Sequence, residues 1–140
     1  MEVEIFTLCD AATEGGGKLN ILGTFDRIQT RQFPAAHPHC AIAVRIRFER
    51  IEEGNHRVRI TFVNADGQPL LPGLDGNLGV RMPPEVDSVC ANMILNFNDL
   101  KFQQAGQYSI DLAIDGRHER SLPVTVILLP AEPPPAPGGN

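Results

Sequence analysis

Apolar and polar positions alternate with a period of two through most of the chain, and no stretch carries the period of a helix. Val3 to Leu8 sets Val3 and Ile5 against Glu2 and Glu4 before running apolar. Cys40 to Phe48 alternates cleanly, with Ile42, Val44, Ile46 and Phe48 opposite Ala41, Ala43, Arg45 and Arg47. Arg57 to Val63 turns Val58, Ile60 and Phe62 inward. Val89 to Phe97 does the same with Val89, Ala91, Met93, Leu95 and Phe97, although Ile94 interrupts its polar face. Gln107 to Ile114 puts Tyr108, Ile110, Leu112 and Ile114 on one side, and a run through Val124 and Val126 follows Asp115-Gly116. Asp-Gly supplies the positive φ angles of a type I′ turn, so these last two runs are expected to form a hairpin. The inward rows of these strands are the expected core.

Turn signals separate the strands. Glu14-Gly-Gly-Gly-Lys18 is one, and Gly23 divides the apolar stretch from Leu19 to Thr30 into two short strands. Phe33 to His39 holds Pro34 and Pro38 and reads as a loop or crossover. Gln68 to Asn77 reads as an irregular loop, followed by a short strand from Leu78 to Met82. Eight or nine short strands without helix specify an all-β antiparallel sandwich. The Leu100…Gly106-Gln-Tyr108 spacing has the form of the tyrosine corner of immunoglobulin-like sandwiches. Tyr108 is therefore assigned a structural role, ring in the core and hydroxyl bonded to backbone near Leu100 to Gln104. The domain is expected to cover residues 1–129, and the Pro- and Gly-rich residues 130–140 to form a disordered tail.

Composition narrows the setting. A 140-residue chain that is 42% hydrophobic suits one core, and no window approaches a membrane span. The acidic, alternating start lacks the basic and apolar regions of a signal peptide, so a cytoplasmic protein is expected. A net charge of −5 argues against nucleic acid as a partner. Cys9, Cys40 and Cys90 are odd in number and widely spaced, and the residue two after Tyr108 is Ile110 rather than cysteine. No inter-sheet disulfide is expected, and the thiols read as small apolar groups.

Four segments together carry a resemblance. They are Glu4-Ile-Phe-Thr-Leu-Cys-Asp-Ala-Ala, the stretch from Gly17 to Asp26, Phe33-Pro-Ala-Ala-His-Pro-His39, and Leu112-Ala-Ile-Asp-Gly with Ser-Leu-Pro123. The chain resembles a family of small uncharacterised bacterial proteins known as a domain of unknown function. The resemblance implies a bacterial source and a β-sandwich, and it transfers no catalytic residue.

Candidate chemistry is sparse. His37, His39 and Cys40 bring two imidazoles and a thiol within four residues, a possible metal or small-molecule site at the His37–Cys40 loop. Their closeness is awkward for simultaneous ligation. Lys18 follows three glycines but precedes a strand, so a phosphate-cradling loop is not formed. No nucleophile elbow, His-Glu-x-x-His or paired catalytic set occurs, so no enzyme and no cofactor are expected. Arg45, Arg47, Arg57 and Arg59 occupy polar faces of consecutive strands. If those strands pair as a hairpin, four guanidinium groups share one face and call for an anionic partner. If the turn arches between sheets, the pairs lie on opposite faces, and Asp111 and Glu119 could neutralise Arg57 and Arg59. The expected function is a non-enzymatic binding or assembly module for another protein. The alternative is an anion- or nucleic-acid-binding arginine face.

Overall fold

Strand β4 (Ala35–Glu49) organises the fold, because its middle, residues 40–44, is buried on both faces. The computed structural model describes residues 1–131; the expected disordered tail, 130–140, lies outside the described residues from position 132 onward. Around β4 run β1 (Glu2–Gly15), β2 (Lys18–Thr24) and β3 (Arg27–Thr30) before it, and β5 (Gly54–Val63) after a 3-10 turn at Arg50–Glu52. Then come β6 (Leu74–Val80), β7 (Ser88–Phe102), β8 (Gly106–Ile114) and β9 (Arg117–Leu128). These nine strands of the described residues form two sheets, in the orders β2-β1-β4-β7 and β3-β9-β8-β5-β6. All pairings are antiparallel except β3 with β9. The protein is an all-β, two-sheet sandwich. Among the described residues no helix is long and apolar enough to cross a membrane.

The interior is made by Ile42, Val44, Ile46 and Phe48 of β4 facing Val58, Ile60, Phe62, Ile110, Leu112, Val124 and Val126, all at most 2% exposed. Two expectations are corrected here. Phe33–His39 is not a loop: β4 begins at Ala35 and pairs with β7 from Ala35↔Phe102 onward. Pro38 is tolerated because pairing with β1 starts only at Cys9↔Ala41, which leaves the other side of this stretch without a ladder to break. Nor is Gln68–Asn77 wholly irregular, since Leu74 to Asn77 pair with Ile60 to Arg57 and open β6.

The outer face of β4 is covered too: Ala41 and Ala43, which the alternation sets opposite the core row, are fully buried with Cys9, against Ala12, Leu19, Ile21 and Ile94. The cover is the distal half of the β1–β2 hairpin. Arg45 pairs with Ile5 on β1, and a straight hairpin would carry Gly17 roughly 40 Å away at ~3.3 Å per residue. Instead the Gly17 carbonyl accepts hydrogen bonds from Arg45 Nη1 at 3.4 Å and from Asn92 Nδ2 at 3.3 Å. The hairpin therefore folds back across the sheet. Gly23 has φ 68°, and a Cβ there would lie 2.5 Å from Asp10 Oδ2, so glycine is required at this position opposite Asp10.

Val89, Met93, Leu95 and Phe97 face the core as expected but are only half-buried, because β7 ends its sheet. Beyond them Asp99, at φ 53°, reverses the phase, and Leu100 and Phe102 become core residues. Phe102 meets Phe62 and Tyr108 edge-on, with centroids 5.9 and 5.1 Å away. The Tyr108 ring is buried and its hydroxyl donates to the Gln104 carbonyl at 2.7 Å.

The link from β4 to β5 arches from one sheet to the other, and His56 fastens it. Its ring stacks on Phe48 with centroids 4.6 Å apart. Nδ1 lies 2.7 Å from Asp115 Oδ2, and Nε2 lies 2.5 Å from the Glu52 carbonyl. Both partners are acceptors, so both ring nitrogens must donate, which only the imidazolium does. Burial opposes the charge, but the Glu52 carbonyl and Asp115 outweigh it and raise the His56 pKa. Asp115 also accepts from the Arg57 amide at 2.9 Å; that bond, then His56, lowers its pKa.

Two outcomes follow from this packing. Tyr108→Phe removes one buried hydrogen bond and should lower unfolding free energy by about 1 kcal/mol in urea titration. The His56 staple contributes stability that is fully present below the ordinary imidazole value of 6.5 and is lost as pH rises through the raised one. Thermal melts should therefore fall on the alkaline side of that transition, and His56→Asn should abolish that fall. An identical alkaline limb in the variant would show that another group titrates there.

Candidate functional site

The arch separates the four arginines. β4 and β5 lie in different sheets, so Arg45 and Arg47 project from the outer face of one and Arg57 and Arg59 from the other. Arg59 pairs with Asp75 at 2.7 Å rather than with Asp111 or Glu119. Asp111 instead accepts from the Ser109 and Ser121 hydroxyls at 2.7 and 2.6 Å. An open groove beside Ala113 is lined by Arg57, Arg59, Asp75 and Asp115. Two positive and two negative groups leave it no preference for an anion.

On the first sheet the arrangement is tighter. Glu4 comes from β1 beside a register shift between Val3 and Ile5. Its carboxylate takes Arg45 Nε on Oε1 at 3.1 Å and Arg47 Nε on Oε2 at 2.6 Å. Arg45 Nη1 also donates to Asn92 Oδ1 at 3.0 Å, and Arg47 Nη1 to Ser88 Oγ at 2.9 Å. The Cys90 thiol completes the set, 3.4 Å from Glu4 Oε1. The Arg47 hydrogen bond is the main reason the Glu4 pKa is lowered; burial works against it, and Cys90 and Arg45 assist. Burial first, then the bond to Glu4, raises the pKa of Cys90, so it stays a thiol rather than a nucleophile. The anion that these two arginines require is thus supplied by the chain itself.

The His37–Cys40 stretch does not converge. Cys40 is fully buried, and burial followed by the neighbouring Cys9 pushes its pKa up to about 11. His37 packs against Phe25 at 5.4 Å, and His39 Nδ1 lies 3.0 Å from Asn98 Oδ1. Among the described residues no group of three or more His, Cys, Asp or Glu is placed to hold a metal. His118 lies with Ser121 at 3.2 Å, while His56 is held by Asp115.

What the sequence patterns did not single out is an edge. Strands β2, β7, β3 and β6 end the two sheets. β2 carries Lys18, β3 is four residues long and carries Arg27, and β6 carries Asp75 with Gly76 and Gly79. Such features discourage pairing with another chain. β7 runs for fifteen residues, and from Ser88 to Asn98 it holds no charged residue and no proline. Its absence of charge was legible in the sequence; its position at the sheet edge was not.

Glu4→Gln should lower the melting temperature, because Arg45 and Arg47 would then face each other without the intervening anion. The wild-type advantage is present above the ordinary carboxylate value of 4.5 and is lost as pH falls through the lowered one. Melts of both proteins across that range should converge at the acid end; a constant gap would assign the effect to packing.

No curated protein matches the chain. Residues 4–127 match DUF6941, described as a family of unknown function. The match covers both sheets, the Glu4 cluster and the whole of β7, and the chain belongs to that family.

Proposed function

We propose that this is a non-enzymatic, cytoplasmic, bacterial protein-binding module with an immunoglobulin-like sandwich, which receives a partner strand along the free edge of β7. The strand orders support the immunoglobulin-like reading. β4 and β7 take the positions of strands B and E, and β5, β8 and β9 those of C, F and G, with β6 as C′ beside β5. β3 runs parallel to β9 as a first strand does beside G, and the Tyr108 hydroxyl bonds upstream backbone as in a tyrosine corner. A strand D would lie beside E. Among the described residues nothing pairs with β7 there.

That open edge is the observation that carries the proposal. The backbone amides and carbonyls along one side of β7 are a template for an added strand. The apolar row Val89, Ala91, Met93, Leu95 and Phe97 is half-buried and would be covered further by a partner. Three titratable groups with displaced pKa values, Glu4, His56 and Asp115, join strands to one another, a structural use that agrees with the same reading. The free thiols of Cys9, Cys40 and Cys90 suit a reducing compartment.

The double substitution Asn96→Lys with Asn98→Lys tests this. Both positions are exposed on β7, so melting should change little, while two lysines on the edge should abolish strand addition. Affinity capture from the native host, compared between wild type and variant, is the measurement. A partner recovered equally by both would place recognition elsewhere.

A further inference from the structure

We infer that the distal half of the β1–β2 hairpin, residues 11–15 with 18–22, is a hinged cover that swings off the outer face of β4 while both sheets stay folded. Its backbone permits the motion. β1 pairs with β4 only as far as Cys9↔Ala41, and beyond that point residues 11–15 pair solely with 18–22. The ladder of this ribbon is internal, and the Asn20 amide adds a bond to the Thr13 hydroxyl within it at 3.3 Å. Swinging the ribbon outward therefore breaks no strand pairing with the sheet. The bend sits where Asp10 faces Gly23, and Gly23 takes φ 68° there.

Little holds the cover down. The fully buried side chains beneath it are Cys9, Ala41 and Ala43, all small. Ala12, Leu19, Ile21 and Ile94 close over them, yet each keeps part of its surface in water. At the tip a single carbonyl, that of Gly17, takes Arg45 Nη1 at 3.4 Å and Asn92 Nδ2 at 3.3 Å, both longer than the usual N–H···O range. When the tip leaves, Arg45 keeps its bonds to Glu4 and Asn92, so no charge is stranded. Glu14 and Lys18 flank the turn without an ion-pair partner among the described residues. The sandwich interior, by contrast, is one cluster of large side chains drawn from both sheets. A segment with little buried area and an internal ladder opens at far lower cost than the domain unfolds. The cover ends on β7, where Ile94 packs beneath it and Asn92 holds its tip. Opening thus bares the outer face from β4 to the free edge of the sheet.

Two fully buried thiols read the opening, since Cys9 lies under the cover and Cys40 in the core between the sheets. The parent for the experiment is the full chain with Cys90→Ser, which removes the half-buried thiol and keeps a hydroxyl to donate to Glu4. Alkylation of each thiol is followed by mass spectrometry at urea concentrations below the unfolding transition. Cys9 should label at least about tenfold faster than Cys40, at a rate that hardly changes with urea, whereas Cys40 labelling should climb steeply. Asn92→Ala removes one donor from the latch, and Leu19→Ala thins the cover. Each should speed Cys9 labelling by about threefold or more and leave Cys40 unchanged. Equal rates for the two thiols in the parent, or variants that speed both together, would show that the hairpin leaves only when the domain unfolds, and the inference falls. Fast labelling of Cys9 that neither variant moves would assign the opening to another segment and overturn it as well.

Discussion

Burial of β4 on both faces is the constraint on which the rest of the structure depends. A strand in a two-sheet protein ordinarily shows one apolar row and one wet row. Here the inner row of Ile42, Val44, Ile46 and Phe48 packs against the opposite sheet, and Ala41 and Ala43 lie beneath a folded-back hairpin. Alanine is the residue that allows this approach, since a larger side chain would hold the hairpin away. The same covering hairpin delivers the Gly17 carbonyl to Arg45 and Asn92, so the arginines are oriented partly by a turn far along the chain. Remove that cover and three buried side chains, Cys9 among them, would meet water.

The arginines show how a sequence pattern acquires its meaning from topology. Four guanidinium groups on consecutive strands suggested a shared anionic surface, but an arch of a few residues sends each pair to a different sheet. Arg45 and Arg47 then lie next to each other on one strand face, where mutual repulsion needs an anion between them. Glu4 fills that place with one oxygen for each arginine. A carboxylate shared by two guanidinium groups contributes to holding β1 against β4.

Most of the architecture was legible from period-two patterning, because the inner rows of β4, β5, β8 and β9 are long, regular and deeply buried. The Asp115-Gly116 turn was equally legible: both residues take positive φ, 52° and 80°. The failures have particular causes. Ala41 and Ala43 look neutral to a pattern that sorts residues by polarity, and only the hairpin's return buries them. Leu100 and Phe102 were missed because Asp99, in left-handed conformation, reverses the phase that holds through Phe97. Pro38 and the glycine-rich start of β6 carry turn-like composition, yet each is extended by pairing with a neighbouring strand. The Glu4 cluster was invisible because its members come from β1, β4 and β7, and their proximity is a product of register. Edge position likewise belongs to the sheet and not to the strand.

An unprotected edge is a liability that folded chains ordinarily suppress, and three of the four edges here do so through short length, charge or glycine. β7 departs from that in every respect at once: it is long, and from Ser88 to Asn98 uncharged and free of proline. Its inner row is also incompletely covered, since Val89, Met93, Leu95 and Phe97 are half-buried while the matching row of β4 is fully enclosed. A sheet that ends on such a strand has apolar area left to bury and backbone groups left to pair. One added strand would meet both needs. The feature that makes the edge a hazard in an isolated chain is thus the one that would let it receive a partner strand.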